Sequence, residues 1–334
     1  MEKFIRYIYN SEITTSALAH YEIDPENTTL LDSFESFIYN VHKEGREFIL
    51  RIGHNSHRTA DLVQGESEFI NHLAKGSLSV PKVIPSLFGN LVETIPAEDG
   101  SQFLTTLFTK AKGKPPSRDT WAAPLFELMG CFMGKLHHLS KSFQPSQPRF
   151  SRYDIERDFA EMYAIGKRNL PKEDEPILQA YLDTIQVIRQ LPKGRENYGL
   201  CHVDFHSGNF FVSEDGDITL FDFDDCQYAW FIYDIAMALF YAIPHNCRTP
   251  KDLRMAETFL SHFWKGYLRE NILEPNWLEA IPHFLRLREI DLYMVIHRSM
   301  DLENLDSWSA SYMDHRREKI LSQVPYCEIN YMNI

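Results

Sequence analysis

The sequence contains few cysteines, and they do not form the closely spaced pairs of a metal site or a redox motif. Its 334 residues include only Cys131, Cys201, Cys226, Cys247 and Cys327. Their number is odd and they are scattered along the chain, so the sequence does not indicate a disulfide framework or a zinc site. The pattern favours reduced thiols, and we expect a cytoplasmic protein.

Long apolar runs are also missing. The first ten residues, "MEKFIRYIYN", lack the apolar core of a secretory signal peptide. The most apolar stretch is "AWFIYDIAMALFYAI" at 229–243, which is interrupted by Asp234 and is too short to span a bilayer. We therefore expect no association with a membrane.

The chain has no excess of basic residues. Lysine and arginine number 34 against 47 acidic residues, which gives a net charge of −13. A nucleic-acid partner is not expected, because such a surface needs a basic patch to neutralise phosphates. The acidic balance tolerates cationic substrates and metal-bound anions such as Mg–nucleotide, although ordinary acidic solubility is the simpler explanation of the overall charge.

The length and the 44% hydrophobic content are sufficient for two folded parts. The first part, residues 1–110, has a β-β-α-β-β pattern. A polar turn, "HKEG", joins two β-rich runs into a hairpin at 34–52, and helical spacing follows at 58–76. Strand-like runs at 79–95 and 101–114 complete a small antiparallel sheet with one helix.

The second part, residues 111–334, is mainly helical and follows the connector "AKGKPP". A strand-like, turn-rich insert lies at 198–225, where "SEDGD" joins the runs Phe210–Val212 and Ile218–Phe223 as a short hairpin. Helical patterns cover 121–141, 151–168, 174–190, 230–242, 251–272, 277–300 and 303–321. The expected fold class is α+β, with a small β lobe before a larger helical lobe.

The insert holds the densest set of ionisable groups in the chain. In "CHVDFHSGNFF" Asp204 precedes Asn209 by five residues, and Asp222 follows in "LFDFDD". A hairpin between the last two would bring an amide oxygen near a carboxylate, and such hard oxygen ligands suit Mg²⁺. Asp204 then has room to accept a proton from a substrate hydroxyl. Phosphoryl transfer requires both functions: a base that orients the nucleophile and metal ions that neutralise charge on the phosphates.

These segments resemble the catalytic and metal-binding segments of the aminoglycoside phosphotransferase and choline kinase family, relatives of the protein kinases. The resemblance includes "H-x-D-x-x-x-x-N", the following "FDFDD", "YDIA" at 233–236 and "LMGCFMGKLHHLS" in the helix at 121–141. It covers roughly residues 30–240. The overall sequence pattern is similar to that of the bacterial branch that contains stress-response and spore-coat-associated kinases. The family implies a two-lobed, protein-kinase-like fold that binds ATP and Mg²⁺.

On the catalytic side, the resemblance assigns five residues. Asp204 would be the catalytic base, and Asn209 and Asp222 would hold Mg²⁺. His202 would brace the catalytic loop. Asp234 would hydrogen-bond that loop from the helix behind it.

On the nucleotide side, the resemblance assigns residues of the N-terminal lobe. Arg51 stands where the family has a phosphate-contacting lysine or arginine, and Glu66 stands where its pairing carboxylate lies. The connector whose backbone meets adenine would be Leu107, Phe108 and Thr109. The first hairpin, "DSFESFIYNV" at 32–41, lacks the glycine-rich loop of protein kinases. Phosphate contacts there would fall to Ser33 and Ser36.

Other polar residues have simpler interpretations. Asp224 is expected to form a solvated acidic turn. His137, His138 and His206 are expected to be structural or surface groups. Acids in the helical part could attract an amino-containing acceptor, or could belong to an ordinary solvated face: Glu156, Asp158, Glu289 and Asp291.

The leading hypothesis is an ATP- and Mg²⁺-dependent kinase that phosphorylates a hydroxyl of a small molecule. A protein Ser/Thr kinase is the alternative, although Asp225 leads almost at once into the helix at Trp230 and leaves no room for a long activation segment. The third hypothesis is a non-catalytic nucleotide-binding module. The presence of Asp204, Asn209 and Asp222 argues against it, because a binding module needs no base. The identity of the acceptor and the oligomeric state stay open.

Overall fold

The computed structural model describes residues 3–32 and 35–334, and the chain divides into two units. The first, here called the β-rich unit, comprises the described residues up to Lys114 together with Ser142–Arg152 and Phe211–Asp224. The second, the helical unit, comprises Pro115–Lys141, Tyr153–Phe210 and Asp225–Ile334. Each unit is therefore assembled from stretches that are separated in sequence.

A six-stranded antiparallel sheet forms the centre of the β-rich unit. Its strands are Thr28–Asp32 (β1), Phe37–Lys43 (β2), Arg46–His54 (β3), Val83–Ile84 (β4), Glu93–Pro96 (β5) and Gln102–Thr109 (β6). They run in the order β1-β2-β3-β6-β4, and β5 also pairs with β6. Apolar residues of the sheet, such as Val41, Leu50 and Leu107, pack with Ile13 and Leu18 from an N-terminal helix. This core holds β3 in the middle of the sheet.

The hairpin of β2 and β3 was predicted, and it is confirmed over its described residues. Glu44 and Gly45 form the turn with φ values of 51° and 71°. Two consecutive positive φ values give the turn whose twist matches that of the flanking strands. The resulting register places Arg51 of β3 opposite Ile38 of β2 and Thr106 of β6.

A helix at Ala60–Lys75 (α3) confirms the predicted helical run at 58–76. The side chain of Thr59 caps its first turn by accepting a hydrogen bond from Leu62 N at 3.4 Å. Glu66 lies on the buried face of this helix and is only 1% exposed. A carboxylate at such a position needs a partner.

The N-terminal elements were missed by the sequence analysis. They are Lys3–Ile8 (α1), Ser11–Ala19 (α2) and β1. The first is too short to show helical periodicity. The strand prediction at 79–95 was correct only in part, because Pro81 and Pro85 flank β4 and limit it to two residues.

The short hairpin that was predicted around "SEDGD" is present. Its strands are Phe210–Val212 (β8) and Ile218–Leu220 (β9), and Gly216 with φ 89° lies in the turn. The predicted second strand ran on to Phe223, but the ladder ends at Leu220. Asp222 then adopts a left-handed backbone with φ 66°.

Helices make up most of the helical unit. They are Ala123–Ser140 (α4), Ile155–Asn169 (α5), Glu175–Ile188 (α6), Phe231–Ala242 (α7), Pro250–Glu270 (α8), Ile281–Ser299 (α9), Ser307–Met313 (α10) and Arg316–Leu321 (α11). The predicted helix at 303–321 is divided, because His315 has a left-handed backbone with φ 50°. Within the described residues, helices are not long and apolar enough to cross a membrane.

A two-stranded antiparallel sheet positions the loop that contains Asp204 and Asn209. It pairs Tyr198–Cys201 (β7) with Gln227–Trp230 (β10), and Cys201 lies opposite Gln227. The loop 202–209 leaves the end of β7, and α7 begins directly after β10. The pairing therefore fixes this loop beside the N-terminal end of α7.

Candidate active site

The loop 202–209 is anchored by Asp234, the first-turn acid of α7. Its two carboxylate oxygens accept hydrogen bonds from His202 N at 2.9 Å and Val203 N at 2.6 Å. Val203 has φ 62°, a strained conformation for a β-branched residue, and the Asp234 carboxylate holds it there. The predicted bracing of the loop by Asp234 is confirmed. His202 also takes part, because its Nδ1 accepts from Asp204 N at 3.2 Å.

A buried histidine completes the anchor. His137 Nε2 lies 2.9 Å from Asp234 Oδ2, and its Nδ1 lies 2.8 Å from the hydroxyl of Tyr267. All three side chains are buried, and burial lowers the pKa of His137. Cys201 is close enough to form a possible ligand group with His137 and Asp234. Because Asp234 already accepts from two backbone amides and His137, we interpret the group as structural.

Asp204 has different neighbours on its two oxygens. The amide nitrogen of Asn209 donates to Oδ2 at 2.8 Å, and His206 Nε2 lies 3.2 Å from the same atom. Arg288 Nη2 lies 3.7 Å from Oδ1. Burial pushes the pKa of Asp204 up, but the His206 hydrogen bond and the charges of His206 and Arg288 outweigh this and lower it to about 2. The carboxylate is therefore ionised and available as a base at neutral pH.

Asn209 and Asp222 offer the oxygen ligands that Mg²⁺ prefers. The amide nitrogen of Asn209 donates to both the backbone oxygen and Oδ2 of Asp204, which leaves the amide oxygen for a cation. Asp222, in the β-rich unit, is exposed and lies within electrostatic reach of Arg51. Each of these oxygens is of the hard type that suits Mg²⁺, and their joint binding of one ion stays a prediction.

Arg51 and Glu66 form a bidentate ion pair within the β-rich unit. The two distances are 2.8 Å from Nη1 to Oε1 and 2.6 Å from Nη2 to Oε2. Burial would lower the pKa of Arg51, but the charge of Glu66 raises it above its usual range. The guanidinium also lies 5.1 Å from the ring centre of Phe108. The predicted partnership is present, whereas contact with a nucleotide stays a prediction.

The expectation that Asp224 is a solvated acidic turn is wrong. Its side chain is 17% exposed and lies 2.8 Å from His57 Nε2, 3.3 Å from Arg58 Nε and 3.8 Å from Arg51 Nη1. Burial alone would raise the pKa of Asp224, but these partners lower it. Glu35, His57 and Asp224 could present donor atoms to a metal. The two guanidinium groups at Asp224 make that site unfavourable for a cation.

The other nucleotide-side residues lie along the sheet. Leu107, Phe108 and Thr109 differ from the expectation, because they form the end of β6 and pair with β3, so the connector begins at Lys110. Their contact with adenine stays a prediction. Ser36 is half-buried at the start of β2. Ser33 lies outside the described residues.

Of the acids expected to attract an acceptor, two are already paired with arginines. Glu156 accepts from Arg189 at 2.7 Å on the surface, and the buried Glu289 lies 2.7 Å from Arg316 and 3.0 Å from Arg286. These are structural pairs.

The remaining two acids are shielded from solvent and close to one another. Burial raises the pKa of Asp158 to about 6, and the charge of Asp225 adds to this effect. Burial and the charge of Asp158 raise the pKa of Asp291. Asp291 Oδ1 has no hydrogen-bond partner among the described residues. The pair is consequently the better candidate for an acceptor contact.

The sequence analysis missed Arg288 and set His206 aside as structural or surface. The structure places both beside Asp204. A signal for Arg288 existed in α9, where Arg288 and Asp291 are three residues apart in an otherwise buried stretch. Charges on the apolar face of a helix point to a function or to a paired structural role.

Comparison with known proteins decides the family. Residues 28–277 match the phosphotransferase enzyme family. The chain belongs to this family. It is 35% identical over 334 residues to amicoumacin kinase of Bacillus subtilis (strain 168), with 99% of this chain and 98% of that protein aligned. The resemblance found in the sequence is confirmed, while its placement in the stress-response branch stays a prediction.

Solved structures agree with this assignment. Amicoumacin kinase hAmiN, in complex with AMP-PNP, Ca²⁺ and Ami, superimposes with a TM-score of 0.92 at 31% identity and covers 100% of this chain and 99% of its own. A microcompartment-associated aminopropanol kinase gives a TM-score of 0.73 at 21% identity, with 94% and 98% covered, and shows the shared fold alone. The α+β, protein-kinase-like fold and the small-molecule phosphotransferase function are confirmed.

Proposed function

We propose that this protein is an ATP- and Mg²⁺-dependent kinase that transfers the γ-phosphate to a hydroxyl of a small molecule. The observation that carries the proposal is the fixed, ionised Asp204 carboxylate on a loop anchored by Asp234. A general base has to lie within hydrogen-bond reach of the proton it removes and has to be ionised. Asp204 meets the second condition, and its hydrogen bond to Asn209 supports a position near the proposed metal ligand.

The catalytic roles follow from the contacts within each unit. Asp204 accepts the hydroxyl proton, and Asn209 keeps the Asp204 carboxylate oriented through its amide nitrogen. Asn209 and Asp222 would hold Mg²⁺, which supplies charge neutralisation on the nucleotide phosphates when bound.

The nucleotide is assigned to the N-terminal lobe, residues 1–110. Arg51 would contact the phosphates from its ion pair with Glu66, and Ser36 would contribute from the start of β2. Leu107, Phe108 and Thr109 would line the adenine at the end of β6. The AMP-PNP bound by the hAmiN relative supports the use of ATP.

An amino-containing acceptor suits the acids of the helical unit. Asp158 and Asp291 lie close to one another, and both are within electrostatic reach of Arg288, which in turn approaches Asp204. An ammonium group would relieve the repulsion between the two carboxylates. Amicoumacin, the substrate in the relative's name, is the first acceptor to test.

The cytoplasmic location also stays part of the proposal. The cysteines are free thiols, including Cys247 and Cys327, whose sulfur atoms are 3.4 Å apart. Thiols this close that are not joined by a disulfide are compatible with a reducing compartment.

An acceptor screen tests the proposed function. Purified protein is incubated with MgATP and amicoumacin, aminopropanol, choline, spectinomycin or casein, and ADP release and the phosphorylated product are both measured. We expect ADP release to be stimulated by at least one of the four small molecules, with an equal amount of its phosphate ester formed. Phosphorylation of casein alone would support the protein kinase alternative. The absence of any transfer would support the nucleotide-binding module.

A further inference from the structure

Arg288 lies beside the catalytic carboxylate although it belongs to none of the motifs of the catalytic loop. It comes from α9, far from Asp204 in sequence, and its Nη2 is 3.7 Å from Asp204 Oδ1. The opposite oxygen, Oδ2, is already occupied by Asn209 at 2.8 Å and His206 at 3.2 Å. Oδ1 is therefore the oxygen left to receive a proton, and Arg288 is next to it.

The guanidinium of Arg288 has unused hydrogen-bonding capacity. It donates to the hydroxyl of Tyr241 and lies over the ring of that residue, 5.4 Å from its centre. Its Nε is buried and has no acceptor among the described residues. A guanidinium has five N–H donors arranged in a fork that matches phosphate oxygens. Tyr241 holds the group in place while leaving donors for an anion.

The charge beside Asp204 gives Arg288 a second reason to be there. Asp204 is ionised, whereas burial raises the pKa of Asp158 and Asp291. The Asp204 carboxylate would repel an incoming phosphoryl group at short range. Arg288 offsets that repulsion at the position where the group has to arrive.

We propose that Arg288 binds the phosphoryl group while it passes from ATP to the acceptor hydroxyl. The inference rests on the proposed function. The acceptor oxygen bonds to the γ-phosphorus, the bond from that phosphorus to the bridging oxygen of ADP breaks, and the hydroxyl proton goes to Asp204 Oδ1. A hydroxyl about 2.7 Å from Oδ1 with the phosphorus about 3 Å beyond it brings the phosphoryl oxygens within reach of Arg288.

The test compares Arg288→Met with Arg298→Met, which removes an exposed arginine of the same helix. The acceptor is whichever of amicoumacin, aminopropanol, choline and spectinomycin gives the parent its highest kcat/KM. We expect Arg288→Met to lower kcat by about 100- to 1,000-fold, with the KM for MgATP within twofold of the parent. Arg298→Met should retain the parental kcat. Thermal unfolding of each variant establishes that it is folded.

A binding measurement separates this role from an effect exerted through Asp204. MgADP with aluminium fluoride mimics the transferred phosphoryl group, and we expect Arg288→Met to weaken fluoride-dependent binding at least tenfold while MgADP alone binds as in the parent. If Arg288 served only to lower the pKa of Asp204, the lost activity would return at higher pH. A full return of kcat by pH 9, with unchanged aluminium fluoride binding, would overturn the proposal.

Arg288→Lys covers the case in which the methionine variant does not fold. Lysine keeps the charge but not the fork, and we expect a kcat about tenfold below that of the parent. Parental kcat and parental aluminium fluoride binding in the lysine variant would contradict the inference. If the parent phosphorylates none of the four compounds, the proposed function fails and the inference fails with it. An active parent with an unimpaired Arg288→Met variant overturns the inference alone.

Discussion

Two aspartates of the "FDFDD" segment have opposite environments although they are two residues apart. Asp222 is exposed on a left-handed backbone, whereas Asp224 is surrounded by His57, Arg58 and Arg51. The sequence supported the assignment of Asp222 through the motif. It could not show the partners of Asp224, because these come from β3 and from the turn that follows it. Strand periodicity applies to neither aspartate, since the ladder ends at Leu220.

The different environments of Asp222 and Asp224 predict that their substitution has separate effects on activity and stability. Asp224→Asn should lower the free energy of unfolding by roughly 2 kcal/mol, because it leaves neighbouring cations without their counter-ion. Asp222→Asn, the matched control, should change it by less than about 0.5 kcal/mol while abolishing MgATP-dependent transfer. Urea unfolding and the transfer assay measure the two effects. Equal losses of stability in both variants would contradict the distinct roles.

The same charges give Asp224 a defined pH dependence. Its pKa in the folded protein is lowered, so its contribution to stability is present above the pKa of the unfolded chain. That contribution is lost as the pH falls through the folded value. The stability difference between the parent and Asp224→Asn should therefore shrink under acidic conditions. It should also shrink above neutral pH, because Asp224 raises the pKa of His57 and this ion pair is lost when His57 releases its proton.

Asp158 should show the opposite behaviour. Its pKa is raised from 3.8 to about 6, by burial first and by Asp225 second. Between these values the folded state holds a proton that the unfolded state has released, so stability falls as the pH rises. Asp291, Arg288 and Glu161 face the same carboxylate, and Gln227 donates a hydrogen bond to it.

The Asp158→Asn variant isolates this effect. Relative to the parent, it should gain up to roughly 3 kcal/mol of unfolding free energy between pH 4 and pH 7. Urea unfolding of both proteins across this range gives the difference curve. A flat curve would show that the carboxylate of Asp158 titrates normally in the folded protein.

At the scale of the elements, α4 and α8 of the helical unit approach one another closely. A Cβ atom on Gly130 would lie 1.9 Å from Phe263 O, and one on Gly266 would lie 1.9 Å from Glu127 O. The two helices pack backbone to backbone at these glycines. The helical pattern at 121–141 predicted α4, but the crossing point depends on a partner more than a hundred residues away.

This packing predicts that Gly266→Ala is destabilising. Alanine favours an isolated helix by about 1 kcal/mol over glycine, yet the clash with Glu127 O should cost more than this and give a net loss of about 1–3 kcal/mol. Gly194→Ala is the control, because its Cβ would meet only Asn197 Nδ2, at 3.8 Å. Unfolding by urea measures both. A Gly266→Ala variant as stable as the parent would contradict the close packing.

Elements with strong local signals were predictable, and elements that depend on distant partners were not. The Glu44–Gly45 turn identified the β2–β3 hairpin, and periodicity identified α3. In contrast, β10 received no prediction, because its four residues are strand only through pairing with β7. Likewise α1 and α2 are short and lack a strong pattern.

On the scale of the whole molecule, the candidate site residues come from segments that are widely separated in the sequence. Motif spacing was enough to assign Asp204, Asn209 and Asp222, since each sits in a local signature. Arg288 has no such signature and became visible only when α9 was placed beside the loop 202–209. The family and the fold were thus accessible from the sequence, whereas the charged surroundings of the base were not.

The central claim is that Asp204 is the base of a small-molecule kinase. Its most direct test is single-turnover transfer from saturating MgATP to the best acceptor of the screen, by the parent and by Asp204→Asn, with MgATP affinity measured in parallel. We predict unchanged MgATP binding and a transfer rate at least 100-fold lower, in line with the 10²–10⁴-fold typical of general base catalysis. Transfer by Asp204→Asn at the parental rate would contradict the account.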